Sequence, residues 1–530
     1  MLDTATGQPG VEPSAEASVR PSSPLARLLV LAAAFGCAAC GLVYELALIA
    51  QGSYLLGDSI TQASVVLSIM VFAMGVGALL AKPLQRRAAV SFVVVELALA
   101  GLGGLSVLGL YAAFAWLDLY WPALVAAALV LGLLIGAEIP LLMTLLQRIR
   151  RQEAGSAVAD LFAADYIGAL LGGLAFPFLL LPLLGQIRGA LVVGMVNAVA
   201  GCGLVLGVFR GSLPPAARRA SWGAGAAVIA LLAGAFAVSE RFEGTARQQL
   251  YDAPIVYAER SRYQEIVITE SVGLRGRDVR LFLNGDLQFS SVDEYRYHEA
   301  LVHPAMAGRH DRVLILGGGD GLAAREVLRY PDVRKLVEVE LDPAMIRLAG
   351  TDPRLTALNR HAMADPRMRV VDADAFGWLR GNVGRYDVVI IDMPDPDAAS
   401  TAKLYSVEFY GMARRALAEH GRLVVQASSP YFAPATFSCV LSTVGAAGLA
   451  VTPYHVDVPT FGDWGFVLGR NGSPPPLDLS PAAPELRSLD AQTLSAARVF
   501  AKDRRPIALP PSTLDKPRIL RYAARDWGAG

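Results

Sequence analysis

Val313-Leu314-Ile315-Leu316-Gly317-Gly318-Gly319-Asp320-Gly321 decides the fold of the C-terminal half of this chain. Four apolar residues read as a buried strand, and the glycines after them as a sharp turn into a helix over Gly321–Tyr330. Glycines at such a turn also let the backbone approach a ligand closely. The same alternation continues downstream. Strand-like runs lie at Leu336–Glu340, Met368–Val371, Val388–Ile391 and Leu423–Gln426. Helical stretches lie between them at Pro343–Ala349, Phe376–Gly381 and Val407–Glu419. Alternating strands and helices predict a parallel, Rossmann-like α/β sheet of the class I methyltransferase type, covered on both faces. Ligands of such sheets bind at the carboxyl ends of the strands.

Those ends carry acids. The second strand closes in Glu338-Val339-Glu340-Leu341-Asp342, where an acidic side chain can accept from both hydroxyls of a ribose. The third leads to Asp372-Ala373-Asp374-Ala375, where an acid can accept from an adenine amino group, and the fourth to Asp392-Met393-Pro394-Asp395-Pro396. With Asp320 on the first, four consecutive strand ends bear acids, a pattern hard to explain as solvated loop charge. Upstream, residues 263–289 alternate apolar and polar residues around an Asn284-Gly285 turn, which predicts a small β-hairpin region.

The N-terminal half has another solvent in view. The chain holds 47 basic and 47 acidic residues, so its charge gives no argument for nucleic acid. From about Leu25 to Ser239, however, Leu, Ala, Val and Gly dominate. A spanning helix needs about 20 mostly apolar residues, and seven segments qualify: 26–50, 60–81, 89–114, 121–147, 160–183, 187–209 and 222–239. Basic residues cluster in alternate gaps: Arg20 and Arg27; Lys82, Arg86 and Arg87; Arg148, Arg150 and Arg151; Arg210, Arg218 and Arg219. The gaps around Gly57 and Leu117 have none, and the third holds Arg188. The positive-inside rule then puts the N-terminus in the cytoplasm of a multi-pass cell-membrane protein. Seven crossings carry the C-terminal half out of the cytoplasm; six keep it inside. Glu45, Glu138 and Asp165 interrupt the apolar runs, as helix-end or interhelical groups or as parts of a transport path. Cys37, Cys40, Cys202 and Cys439 suggest neither a disulfide framework nor a zinc site, and no metal is expected.

The expected organisation is therefore a disordered segment 1–24 and a transmembrane helical domain 25–240 of six or seven spans. A catalytic domain follows at 250–470, β-rich over 250–300 and Rossmann-like over 311–470, with a tail 471–530 to which no chemistry is assigned.

The soluble half resembles the spermidine synthase (polyamine aminopropyltransferase) family, and the helical half resembles the multi-pass segment fused to some bacterial members. The resemblance rests on Tyr263-Gln264, Leu283-Asn284-Gly285-Asp286-Leu287-Gln288, Asp293-Glu294-Tyr295-Arg296-Tyr297-His298-Glu299, Gly317-Gly318-Gly319-Asp320-Gly321, Glu340-Leu341-Asp342, Asp392-Met393-Pro394-Asp395-Pro396 and Gln426. It implies decarboxylated S-adenosylmethionine as cosubstrate, no tightly bound cofactor, putrescine or a related polyamine as acceptor, and a homodimer or homotetramer. By the same resemblance Gly317, Gly319, Gln264, Glu340, Asp374 and Ala375 hold the nucleoside. Asp320 attracts the donor's ammonium, and Asp392 takes the acceptor's proton. Tyr297, His298, Asp395 and Gln426 orient the polyamine. Asp293 and Glu294 also read as helix-starting acids, and Tyr295 and Tyr297 as core aromatics. The sequence departs from the family at 397–401, at Phe461 where a tyrosine is usual, and at Ala373 and Ala375 beside Asp374. Two other readings stay open: an S-adenosylmethionine-dependent methyltransferase at a membrane, and a non-catalytic polyamine transporter or sensor.

Overall fold

A computed structural model describes residues 24–56, 59–117, 119–149, 154–210, 213–273, 276–381, 384–396 and 398–527. The expected disordered segment 1–24 lies outside these residues except for Pro24, as do Arg20, Gly57, Arg150, Arg151 and Asp397. The described chain divides into two compact units, Met1–Gly52 with Thr61–Glu243, and Ser53–Ile60 with Gly244–Gly530.

The first unit is helical: α1 (Pro24–Leu56), α2 (Ser59–Leu80), α3 (Ala88–Ala112), α4 (Tyr120–Ile149), α5 (Ala154–Ala175), α6 (Leu181–Gly207) and α7 (Pro215–Gln249). Among the described residues six continuous helices are long and apolar enough, by length and composition, to cross a membrane. One runs over 50 residues, Val158–Gly207, about 75 Å at 1.5 Å per residue and more than two hydrocarbon cores. It joins α5 to α6 through Phe176–Leu180 and breaks inside α6 at Gly185, whose φ of 72° is non-helical. Small residues set the packing. A side chain at Gly77 or Gly136 would strike the α4 or α2 backbone, and one at Gly168 or Gly172 the α1 backbone. Close backbone approach of this kind is how apolar helices associate where burial from water supplies no drive. The three acids read from the sequence are joined by a fourth, Glu96 of α3, which is fully buried.

The second unit opens with an antiparallel sheet in the order β1 (Ile255–Arg260), β2 (Glu265–Gly273), β3 (Gly276–Leu283) and β4 (Asp286–Ser290). Its β3–β4 turn is Asn284-Gly285 with φ of 52° and 94°, the two positive values that a two-residue hairpin requires. The region is a four-stranded meander, larger than the hairpin expected.

The main sheet contains β5 (Arg312–Gly317), β6 (Lys335–Glu340), β7 (Met368–Asp372), β8 (Tyr386–Asp392), β9 (Leu417–Gln426), β10 (Ala450–Val458) and β11 (Gly462–Arg470). Their spatial order is β10-β11-β9-β8-β5-β6-β7, with β5 to β9 parallel and β10 and β11 antiparallel. Val313 and Ile315 of β5 face one core and Leu314 and Leu316 the other, all fully buried. Burial of each such side chain contributes about 1.5–3 kcal/mol, and apolar residues on both faces are what a covered parallel strand needs. From β5 the chain winds outward through β6 and β7, then returns to β8 on the other side. The carboxyl ends of β5 and β8 thus flank the switch point where such sheets bind ligands. The helix expected to run to Glu419 stops at Ala416, because Leu417 already belongs to β9.

The tail is built into this unit. The carboxylate of Glu299 accepts from the backbone N–H groups of Arg487 (2.7 Å), Ser488 (2.8 Å) and Leu489 (3.2 Å). Asp526 accepts from the Thr436 amide (2.8 Å), and Ile519 is fully buried.

Candidate active site

The glycine turn brings three strand ends together. Gly317 pairs in register with Asp392, and Gly318 N–H donates to the Asp392 carbonyl (3.1 Å). Gly317 has φ of 81°, and a Cβ there would collide with that carbonyl; a Cβ on Gly319 would lie 2.7 Å from Glu340 Oε2. Glycine at both places is what lets the ends of β5, β6 and β8 converge. Asp320, Glu340 and Asp392 follow at those ends. Asp320 accepts from Leu322 N–H (2.8 Å), and burial pushes its carboxyl up to about 6 against the nearby His298. Burial pushes Glu340 up to about 7, opposed by the N–H groups of Asp342 and Leu341. Glu338, on the same face of β6, is fully buried with no partner for its carboxyl, and burial keeps it well above the usual range.

Asp392 receives a 2.6 Å hydrogen bond from the Tyr297 hydroxyl. Tyr297 belongs to α8 (Glu294–Val302), and its ring stands 5.4 Å from Phe466 and 6.2 Å from Phe461. Burial, then the charge of Asp392, holds the phenol well above its ordinary value, so it remains a donor. Burial also raises Asp392, against the opposing pull of His298 and Tyr297. His298 is buried; its Nδ1 lies 3.0 Å from Glu294 Oε2. Burial works against the imidazolium, but Glu294, then Asp320 and Asp392, carry it above its ordinary value. The Arg325 guanidinium grips both oxygens of Glu294 at 2.8 Å. This cluster explains Glu294, expected to serve as a helix-starting charge. Asp293 likewise makes no cap bond; it accepts from Thr460 N–H and Oγ1, both at 2.8 Å, and fixes the segment that carries Phe461.

Past β8, Asp395 accepts from Gln426 Nε2 and from Ser428 Oγ, each at 3.2 Å. Gln426 also donates to the Met393 carbonyl (2.6 Å) and accepts from Ser428 N–H (3.1 Å), so its amide holds residues 393–395 in place. Tyr405 adds a bond to the Pro394 carbonyl (2.8 Å). Gln264 stands in the link after β1 and donates to Asp342 (3.0 Å), which Ser261 also reaches (2.7 Å). Asp374 caps the helix Ala375–Leu379 and pairs with Lys403 (3.0 Å), while Ala375 is buried in its first turn. Tyr297, His298, Asp320, Glu340, Asp392, Asp395 and Gln426 therefore gather around the ends of β5, β6, β8 and β9. Gln264 and Asp374 stand farther out along the same edge. Arg325, Tyr405 and Ser428 were not singled out in the sequence. Ser428 has the one available signal, a polar residue two places beyond Gln426, and its φ of 64° is visible only in the structure.

The site is thus a cluster of carboxylates, one donating phenol and one imidazole at a nucleoside-type strand edge. A spermine/spermidine synthase domain matches residues 294–474. Polyamine aminopropyltransferase 1 of Streptomyces coelicolor is 60% identical over 504 residues, covering 95% of each chain. The chain belongs to the polyamine aminopropyltransferase family. The polyamine aminopropyltransferase of Mycobacterium tuberculosis is 50% identical over 534 residues, 99% of this chain and all of that one. A spermidine synthase solved with the transition state analogue AdoDATO is 28% identical, with a TM-score of 0.44, over 47% of this chain and 85% of its own. Family membership makes the chain a transferase of the spermidine synthase type.

Proposed function

We propose that the C-terminal unit moves the aminopropyl group of decarboxylated S-adenosylmethionine to putrescine or a related diamine, giving spermidine or its analogue and methylthioadenosine. The observation that carries this reading is the Tyr297–Asp392 hydrogen bond at the switch point of the sheet. It leaves one carboxylate oriented beside the loop that would cradle the donor. The acceptor nitrogen attacks the carbon attached to the sulfonium, the C–S bond breaks with its electron pair on sulfur, and a neutral thioether leaves. The nitrogen gives up a proton, which Asp392 accepts. Asp320 stands where the donor's tail ends; its charge favours a lone ammonium and disfavours a carboxylate. Glu340 accepts from the ribose hydroxyls, Gln264, Asp374 and Ala375 bound the nucleoside, and Gly317 and Gly319 admit it. His298 and Asp395 orient the polyamine, with Gln426 acting through Asp395. Phe461 offers the acceptor an apolar wall, without a tyrosine's hydroxyl.

The reading is tested with the purified full chain, decarboxylated S-adenosylmethionine and a panel of diamines, following methylthioadenosine. Release that requires an amine names the acceptor. No release with any amine, together with methyl transfer from S-adenosylmethionine, would overturn it.

A pH dependence follows from Glu340. Its charged form accepts the ribose hydroxyls, so binding of methylthioadenosine to the free protein strengthens as pH rises through about 7. Calorimetric Kd values across that range should show the step, and Glu340→Gln should flatten it.

We further read the helical unit as a multi-pass bundle in a cell membrane with a cytoplasmic N-terminus. Six long apolar helices and the alternate basic gaps support this. Assembly as a homodimer or homotetramer is proposed from family resemblance.

A further inference from the structure

A second cluster of chemistry lies far along the sequence from the transferase residues, inside the helical unit. The thiol of Cys37 in α1 and carboxyl oxygens of Glu96 in α3 and Glu138 in α4 lie within 4.8 Å of one another, and all three residues are buried. Glu96 is fully enclosed and Glu138 is 4% exposed. Both oxygens of Glu96 and one of Glu138 have no hydrogen-bond partner outside this group and Asn197. One further buried group, beside Glu96, is unpartnered. Asn197 of α6 spends its amide nitrogen on the Glu96 backbone carbonyl (3.4 Å), leaving Oδ1 without a donor. Three helices therefore bring Cys37, Glu96 and Glu138 together, and a fourth, α6, sets Asn197 beside Glu96.

Elsewhere in the same unit two acids are paired with arginine. Arg27 pairs with Asp160, and Arg188 with Glu240 at 2.8 Å. Among the described residues no Lys, Arg or His reaches Glu96 or Glu138. Carboxylates enclosed in apolar surroundings need a cation or a proton. The thiol selects among cations: sulfur disfavours Mg2+ and Ca2+ and favours zinc-class ions. Ligand atoms of a tetrahedral zinc site stand roughly 3.3–3.8 Å apart, a contraction that side-chain rotation supplies from 4.8 Å. We propose that Cys37, Glu96 and Glu138 bind a zinc-class divalent ion in the interior of the helical unit, with the Asn197 side chain beside Glu96.

The test uses the full chain in detergent, purified without metal-affinity resin, loaded with Zn2+ and dialysed. The expected result is a retained single equivalent of zinc by mass spectrometry. Replacement by Co2+ should give the intense visible bands of a four-coordinate site and a thiolate charge-transfer band in the near ultraviolet. Cys37→Ser should remove the charge-transfer band, and Glu96→Gln with Glu138→Gln should abolish retention. Cys439→Ser, in the other unit, should change neither. Gel-filtration elution and methylthioadenosine release, measured on every variant, separate loss of the site from loss of the fold. Zinc lost on dialysis from a protein that elutes and turns over normally would overturn the proposal. So would a charge-transfer band that survives Cys37→Ser, or retention of a polyamine in place of the metal.

Discussion

Asp392→Asn should lower turnover roughly 100- to 10,000-fold, the usual contribution of a positioned general base, while the KM for the nucleoside donor stays near wild type. The reason lies in the nucleophile. A primary amine with a pKa near about 10.4 has less than about one molecule in a thousand unprotonated at neutral pH, whereas the leaving thioether needs no acid. The carboxylate is in place: Tyr297 holds one oxygen at 2.6 Å, and burial raises its basicity. Asparagine keeps the shape and the acceptor for Tyr297 but cannot take a proton. The deficit should therefore shrink as pH is raised, because bulk base then supplies free amine. Single-turnover rates with saturating diamine across pH would check both parts. A variant within about twofold of wild type at neutral pH would remove Asp392 from the role of base.

The parts of this site that were legible in the sequence are those fixed by local chain geometry. Gly317-Gly318-Gly319 had to be a turn, and acids at or just past the ends of buried strands had to sit at the sheet's carboxyl edge. Strand register did the rest, pairing Gly317 with Asp392. What stayed hidden depends on contacts across long separations. Asp293 and Glu294 look like helix-starting charges until Thr460 and Arg325 are seen to occupy them. Glu299 looks like a solvent-facing helix residue, yet its carboxylate collects three backbone N–H groups from a tail nearly 190 positions away. The antiparallel β10–β11 pair escaped notice because its alternation is broken by Pro453, Gly465 and Gly469. In the helical unit Glu96 passed unremarked within an apolar run, because hydropathy averages over a single carboxyl.

Arg325→Met should be the most destabilising single change outside the catalytic residues. The guanidinium is 8% exposed and the Glu294 carboxylate 3%. Removing one partner of so buried a pair costs about 3–5 kcal/mol, because the remaining charge is left enclosed. At roughly 2–4 °C per kcal/mol for a domain of 150–250 residues, the melting transition of the C-terminal unit should fall by on the order of 10 °C. The cost should depend on pH in a defined direction. Burial raises the Glu294 pKa, but His298 and Arg325 lower it further, so the folded value is below the unfolded one. Its stabilisation is therefore present above the unfolded value, near about 4.3, and is lost as pH falls through the folded value. In Arg325→Met the carboxylate keeps only His298, so its pKa rises and the deficit relative to wild type should narrow under acid. Glu294→Gln in the same chain should recover part of the loss, since no unpaired carboxylate then remains at that position. Differential scanning fluorimetry on the four proteins of this cycle, at neutral and acid pH, measures each term. The consequence should also reach the active site. Glu294 gives the largest push raising the His298 imidazole above its ordinary value, beside Asp320 and Asp392, so Glu294→Gln, even where folded, should bind donor and acceptor with a different pH profile.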